Sequence, residues 1–355
     1  MKTLKFFLKS LVFLLVMIMV LFGVFLLYAT ISDYHPDEQI TLYESDTPDT
    51  LDCDMLREAL TWNIGYAGLG DNMDFFYDGG TRVRDSKIRT RENLSQIQNI
   101  LQQFDTISFI LLQEVDQKSK RSYKFDQTKA LYEQLDYPFH FYALNYKAFF
   151  VPIPPLNPMG KVRSGLLSFS KYEPARVDRF DFPGSYPWPT KLFMLDRCFM
   201  VMRFIMKDGN ELLVINTHNS AFDGGVLKTE EMAYLKEFIL NEHEQGHYIL
   251  VGGDWNQNPP GYADPGFNEE SGYRNFVLAT IEDDFLAPGW KWVFDRDHPT
   301  NRALIKPYDH NTATTILDFF LVSPNIQVAH SKTLNLNFQN SDHQPVFIQF
   351  ALSSE

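Results

Sequence analysis

Asp254 and Asn256 stand two residues apart in the stretch YILVGGDWNQN, residues 248–258. In extended backbone, positions two apart point the same way, so this carboxylate and this amide share a face. A carboxylate beside a neutral amide, at the end of a buried strand, suits activation of a water next to a phosphate. The preceding Gly252 and Gly253 let backbone come close to whatever binds there. Asp and Asn also dominate turns, so a loop capped by their side chains is the other reading. Glu114 poses a similar choice, because it follows the apolar run ISFILL almost directly. It is either a metal ligand at the ligand-bearing edge of a sheet or an unpaired charge in a core, which is expensive. Asn63 is an amide inside an apolar strand, to be satisfied by a ligand, a metal or a backbone partner. Asp318 is the one charge within ILDFFLV and needs a partner, for which a histidine is suited. His218 closes VINTH, and Asp342–His343 lies in SDHQPV. A histidine at a strand end is either a site group or a satisfied structural ring.

Such residues act together only if strand ends converge. Strands are expected at 59–64, 107–112, 139–142, 164–170, 198–206, 211–216, 248–251, 316–322 and 346–352, with 198–206 and 211–216 a hairpin turned at Asp208-Gly209. Helical spacing of Leu94, Ile97, Leu101 and Phe104 marks a helix from Ile88 onward, and further helices are expected at 127–135 and 229–241. Arg82, Arg84, Lys87, Arg89 and Arg91 either line a phosphate entrance or form a solvated helix start. Two apolar, proline-stiffened segments, 149–160 and 180–193, either mark an apolar binding rim or membrane-facing surface, or cover the flank of the sheet. Residues 259–315 read as loop-rich and are a place for substrate contacts.

The 355-residue chain divides into residues 1–30, 31–57 and 58–355. Lys2, Lys5 and Lys9 precede an uncharged apolar run over 11–29, long enough to span a bilayer, without a convincing cleavage site. It reads as an uncleaved signal anchor. The lysines before it and Asp33, Asp37 and Glu38 after it place the N-terminus in the cytoplasm and the body outside. Residues 31–57 resemble a tether without periodicity. The net charge of −13 argues against sequence-independent nucleic-acid binding, yet a divalent cation can supply local positive charge to a phosphate. Cys53 and Cys198 exclude a CxxC motif; Cys198 is expected to pack as a small hydrophobe, and their pairing stays open.

In order, TWNIGY, LLQEVD, SGLLSFS, VINTHN, GGDWNQN, ILDFFLVS and SDHQPV resemble the motifs of the endonuclease/exonuclease/phosphatase superfamily, the fold of deoxyribonuclease I, over about residues 58–352. The likeness is to a membrane-anchored, bacterial-type member. It implies an α/β (α+β) four-layered sandwich, two packed mixed sheets flanked by helices, here preceded by one transmembrane helix. It also implies hydrolysis of phosphate esters with Mg2+, or with Mn2+ or Ca2+. Carried over residue by residue, Glu114 resembles the principal metal carboxylate, with Asn63 and Asp342 near it. Asp254 resembles the group that positions or deprotonates the attacking water, and Asn256 the amide that holds a phosphate oxygen, with Asn63 nearby. His343 would donate to the phosphate, oriented by Asp318, and His218 would contact the phosphate or help the leaving group. Asn219-Ser220-Ala221 departs from the apolar continuation of many relatives, and basic DNA-gripping loops are not apparent. The aromatic insertions look more like those of members acting on lipids. The expected activity is therefore a membrane-anchored phosphoesterase, its substrate a phospholipid or sphingolipid headgroup. The alternatives are an extracytoplasmic nuclease and an inactive binding protein; no protein partner is expected.

Overall fold

The computed structural model describes residues 2–221, 225–262 and 278–353. Its body is two mixed sheets packed face to face. One sheet has the order Gln39–Glu44, Arg176–Asp181, Cys198–Met206, Glu211–His218, Tyr248–Asp254, Asp318–Val322, Lys291–Val293, with Thr50–Leu51 beside Cys198–Met206. The other runs Ile326–Thr333, Val346–Leu352, Arg57–Asn63, Phe109–Asp116, Gly160–Ser170, Phe139–Val151. Helices Lys87–Gln102 and Gln127–Gln134 cover the outer face of the second sheet, and Val226–Glu244 covers that of the first. This is the four-layered sandwich that the resemblance implies.

The central strands are apolar without alternation because both of their faces are covered. Phe109 and Leu111 enter the core between the sheets, while Ile110 and Leu112 pack under the helices. Tyr248 and Leu250 likewise face inward, and Ile249 and Val251 outward. Polar residues are therefore expelled to the strand ends, except where they bond each other. Gln113 does so inside the sandwich, donating to Thr61 Oγ1 (3.0 Å) and Asn216 Oδ1 (2.8 Å), while Asn216 donates to Ser168 Oγ (3.1 Å). Buried polar groups satisfied this way fix the register of one sheet on the other, since each unpaired member would cost about 1–3 kcal/mol.

Helix starts follow their caps. Ser86 accepts from Arg89 N, and Asp126 from Lys129 N. The nearby basic residues are surface groups: Arg82 pairs with Asp85 and Arg89 with Asp71, and none of the five lines the cleft described below. The solvated-helix reading is the one that holds. Cys53 and Cys198 are both buried and free.

Two segments differ from the sequence reading. Residues 31–57 are not wholly irregular, since Gln39–Glu44 forms an edge strand on Arg176–Asp181. Its acidic and hydroxyl residues hide the strand pattern because they bond neighbours, Thr41 to Asp178 and Tyr43 to Glu173. The Phe139 strand also runs on to Val151, so Phe149 and Phe150 belong to a long hairpin arm rather than to a loop.

At the N-terminus, Lys2–Ile31 is one helix, of which Thr3–Ile31 is long and apolar enough to cross a membrane. At 1.5 Å per residue, such a helix exceeds the roughly 30 Å of a bilayer core. Among the described residues, its last turns are what meet the body. Phe25 stacks on Phe193 (5.9 Å between centroids) and meets Phe149 (5.4 Å).

Candidate active site

Strand register builds the site. Asp254 ends its strand directly opposite His218 on the parallel neighbour and Asp318 on the antiparallel one. Asn63 faces this row from the end of the second sheet, and the loop before Val346 adds Asp342 and His343. Trp62, fully buried, anchors that loop by donating from Nε1 to the His343 carbonyl (3.0 Å). Gly252 and Gly253 serve packing rather than ligand approach. A Cβ at Gly252 would sit 2.4 Å from the Phe320 ring, and one at Gly253 2.0 Å from Thr217 O.

Glu114 reaches the site through a bulge. Register against Gly160–Ser170 shifts between Leu112 and Val115, and Glu114 adopts φ +55°. That left-handed value is uncommon outside glycine and marks a position held by its surroundings. Asp116, two residues on, turns away to bind Arg121 and Ser122.

The polar contacts are specific. Asn63 Nδ2 donates to Asp254 Oδ2 (2.9 Å) and lies 3.4 Å from Glu114 Oε1, while its Oδ1 accepts from Gly65 N (3.0 Å). Asp254 Oδ1 accepts from Asn256 N (2.9 Å). Asn256 Nδ2 donates to Asn219 O (2.8 Å), which pins the amide at φ +50°. His218 Nε2 is 3.4 Å from Asp254 Oδ2, and its buried Nδ1 has no partner. His343 pairs through Nδ1 with Asp318 Oδ2 at 2.7 Å, and Nε2 lies 3.7 Å from Asp254 Oδ2.

Charges are set by burial and neighbours. Burial raises the Asp318 pKa to about 7, opposed by His343 and reinforced by Asp254. Burial works against charge on His343, but Asp318, Asp254 and Asp342 outweigh it and hold the imidazole well above its ordinary value. His218 goes the other way: burial, then Arg197 and His343, push it well below, so it is neutral at physiological pH. Burial also raises Glu114, with Arg121 opposing and Asp342 adding to the rise, and burial raises Asp342 against His343 and Arg302.

All eight residues singled out in the sequence converge. Glu114, His218, Asp254, Asn256, Asp342 and His343 line one cleft; Asn63 and Asp318 stand behind it as hydrogen-bond partners of those that do. Sequence reasoning missed four further groups. Arg121 is buried, 3.5 Å from Glu114 Oε2, with its guanidinium 3.8 Å above the Tyr66 ring. Asp78 lines the cleft with its pKa raised to about 8 by burial, Asp342 and Glu114. Asn145 lines it with a buried Nδ2 that has no partner. Asn301 sits 3.0 Å from His343 Nε2, inside the stretch that sequence left as loop. No local pattern flags Asp78 or Asn145, whereas the position of Arg121 just past LLQEVD was a usable signal. Most of the remaining wall is apolar or aromatic, among it Leu69, Phe75, Tyr77, Met159, Tyr186 and Leu195, with Ser164, Arg197 and Ser220 as polar exceptions.

Two oxygen-rich groups bear on a metal. Asp254, Asp318 and His343 place ligand atoms within 4.8 Å of one another. Asp318, however, is fully buried and already bonded to the ring, so this trio has the character of a proton-handling relay. Glu114 and Asp342 are carboxylates whose charges oppose one another inside the cleft, a donor set that fits a hard divalent cation.

The model of the Endonuclease/Exonuclease/phosphatase family matches residues 60–343. Among solved structures the chain is similar to an endonuclease/exonuclease/phosphatase from Beutenbergia cavernae DSM 12333 (TM-score 0.56, 15% identity, 84% of this chain and 72% of that one). It is also similar to ANGEL2, a 2',3'-cyclic phosphatase (TM-score 0.52, 15% identity, 90% and 99%). The human Nocturnin catalytic domain with bound sulfate anion matches comparably (TM-score 0.51, 16% identity, 86% and 97%). At these identities the likeness is one of fold. A sequence search of curated proteins finds no match. The matched span holds every residue of the cluster from Asn63 to His343, and the chain belongs to the endonuclease/exonuclease/phosphatase family, a family of hydrolytic enzymes acting on phosphate esters.

Proposed function

We propose that this protein is a membrane-anchored, divalent-cation-dependent phosphoesterase whose substrate carries an apolar portion, a phospholipid or sphingolipid headgroup ester. The observation that carries the reading is the meeting of Asp254, His343, His218 and Glu114 in one cleft whose remaining walls are largely apolar and aromatic. Asp254, fixed by Asn63 and Asn256 N, takes a proton from a water that attacks phosphorus in line as the ester P–O bond breaks. The electron pair of that bond goes to the leaving oxygen, which takes a proton from solvent. His343, held charged by Asp318, donates from Nε2 to a phosphate oxygen. Neutral His218 is a poor acid for the leaving group; an N–H contact to the phosphate suits it better. The remaining amide hydrogen of Asn256 has the same task. Glu114 and Asp342, with Asn63 beside them, would hold Mg2+, Mn2+ or Ca2+, which supplies Lewis-acid stabilisation of phosphate charge.

The lysines before the apolar helix and the acids after it favour a cytoplasmic N-terminus and an external catalytic body. The test is a panel of phospholipids, sphingomyelin, inositol phosphates, DNA and an aryl phosphodiester, each with Mg2+ and with chelator. Lipid turnover that chelator and Glu114→Ala abolish is the expected result. Turnover of DNA without lipid would replace this reading with the nuclease one, and no turnover of any ester would leave a binding protein.

A further inference from the structure

Apart from the N-terminal helix, the largest apolar exposures lie on a few side chains, most of them scattered singly. Three are grouped. Ile153 and Leu156 occupy the tip of the hairpin between Phe139–Val151 and Gly160–Ser170, and Trp188 lies in the second proline-rich segment. Leu156 is wholly exposed and Trp188 is 56% exposed. The tip, residues 152–159, contains no charge. These are the segments on which the N-terminal helix ends: Tyr28 meets Phe149 (5.0 Å), Phe25 meets Phe150 (6.3 Å), and Trp188 Nε1 donates to Thr30 Oγ1 (3.2 Å).

Depth follows from that packing. If the uncharged run over 11–29 spans the hydrocarbon, Phe25 lies several residues inside its outer edge, roughly 6 Å deep at 1.5 Å per residue. Phe149, Phe150 and Phe193 then stand at the level of the lipid headgroups or below. Lys120, over the Phe150 ring at 5.9 Å, and Lys147, over Tyr34 at 5.3 Å, flank this patch; neither has a carboxylate partner among the described residues. On a chain of net charge −13, an apolar tip with lysines beside it matches an anionic bilayer surface. The same segments supply Met159 and Tyr186 to the cleft wall, and Met194 and Leu195, just past the second, join them.

We propose that the catalytic body does not stand off on a tether but docks on the membrane that anchors it, with Ile153, Leu156 and Trp188 entering the outer leaflet and the cleft mouth held at headgroup level. The inference rests on the membrane-anchored reading above and gives it an orientation: the substrate comes from the same leaflet.

The experiment uses the full chain in nanodiscs containing an anionic phospholipid. Cys53 and Cys198 are buried, so a polarity-sensitive fluorophore on Leu156→Cys reports that site alone. A second label on Tyr132→Cys, exposed on helix Gln127–Gln134 and stacked on His140 at the far end of the hairpin, is the control. Docking gives blue-shifted emission at 156 that brominated acyl chains quench, with neither effect at 132. Emission at 156 that stays water-like and unquenched overturns it. In parallel, Leu156→Asp with Trp188→Asp should lower hydrolysis of a bilayer-embedded ester roughly tenfold, leaving a soluble short-chain ester unchanged. Equal losses on both substrates count against docking. The quenching readout needs no turnover, so failure of the phosphoesterase reading and failure of docking are separate results.

Discussion

The two sheets contribute unlike halves to the cleft. On the first, Asp254 is held by two 2.9 Å hydrogen bonds, and its neighbour Asp318 grips His343 at 2.7 Å. On the second, Glu114 sits on a bulge with only a 3.4 Å contact from Asn63 and a 3.5 Å contact from Arg121, and burial together with Asp342 disfavours its charge. One half is preorganised before anything binds, as groups that move or donate protons must be. The other is a loosely held pair of acids with an electrostatic deficit, which an exchangeable cation would relieve. On the proposed reading the difference separates proton chemistry from cation binding in role rather than in space, since Asn63 touches both halves and His343 Nε2 lies 3.9 Å from Asp342 Oδ2.

That separation makes opposite signatures. Asp254→Asn should lower kcat by about 10²–10⁴-fold while leaving the cation concentration for half-maximal activity unchanged. Steady-state kinetics against a cation titration checks this, and a parallel shift in cation demand would merge the two halves. Glu114→Gln should act mainly on the other axis, raising the cation requirement about 10–100-fold with most of kcat recovered at saturation. The same titration decides it.

The smallest effect concerns Asp78, whose carboxyl pKa is raised by burial, Asp342 and Glu114 and lowered by Arg302 and His343. Its folded pKa is raised to about 8, so the folded state binds a proton that the unfolded state has already lost. Stability of chelator-treated protein should therefore fall as pH rises from the ordinary aspartate value, near 3.8, through 8. Asp78→Asn should flatten that slope and gain about 1–3 kcal/mol at the alkaline end. Denaturant unfolding across pH would measure it. A variant with the wild-type slope would show that burial and the neighbouring Asp342 and Glu114 do not make Asp78 hold a proton in the folded state.

Much of this was legible in the chain. Runs such as ISFILL and YILV announce strands covered on both faces, because only a doubly covered strand is apolar without alternation. A polar residue closing such a run must then lie at an edge, which is how Glu114, His218 and Asp254 were found. The roles of Gly252 and Gly253 were misread. From sequence a glycine reports only that room is needed, and the room here is for Phe320 and Thr217. The edge strand Gln39–Glu44 was missed because its polar residues are satisfied by partners more than a hundred residues away.

The amino-acid order by itself determined which segments become central strands and which ionisable groups end up at their termini, since those follow from local hydrophobic pattern. The motif resemblance already paired Asp318 with His343; only the tertiary structure decided that a bulge aims Glu114 inward while Asp116 turns to Arg121, and that Asp78, Asn145 and Asn301 join the cleft. These are contacts between distant segments. They depend on the register of one sheet against another, and no single stretch of chain carries that information.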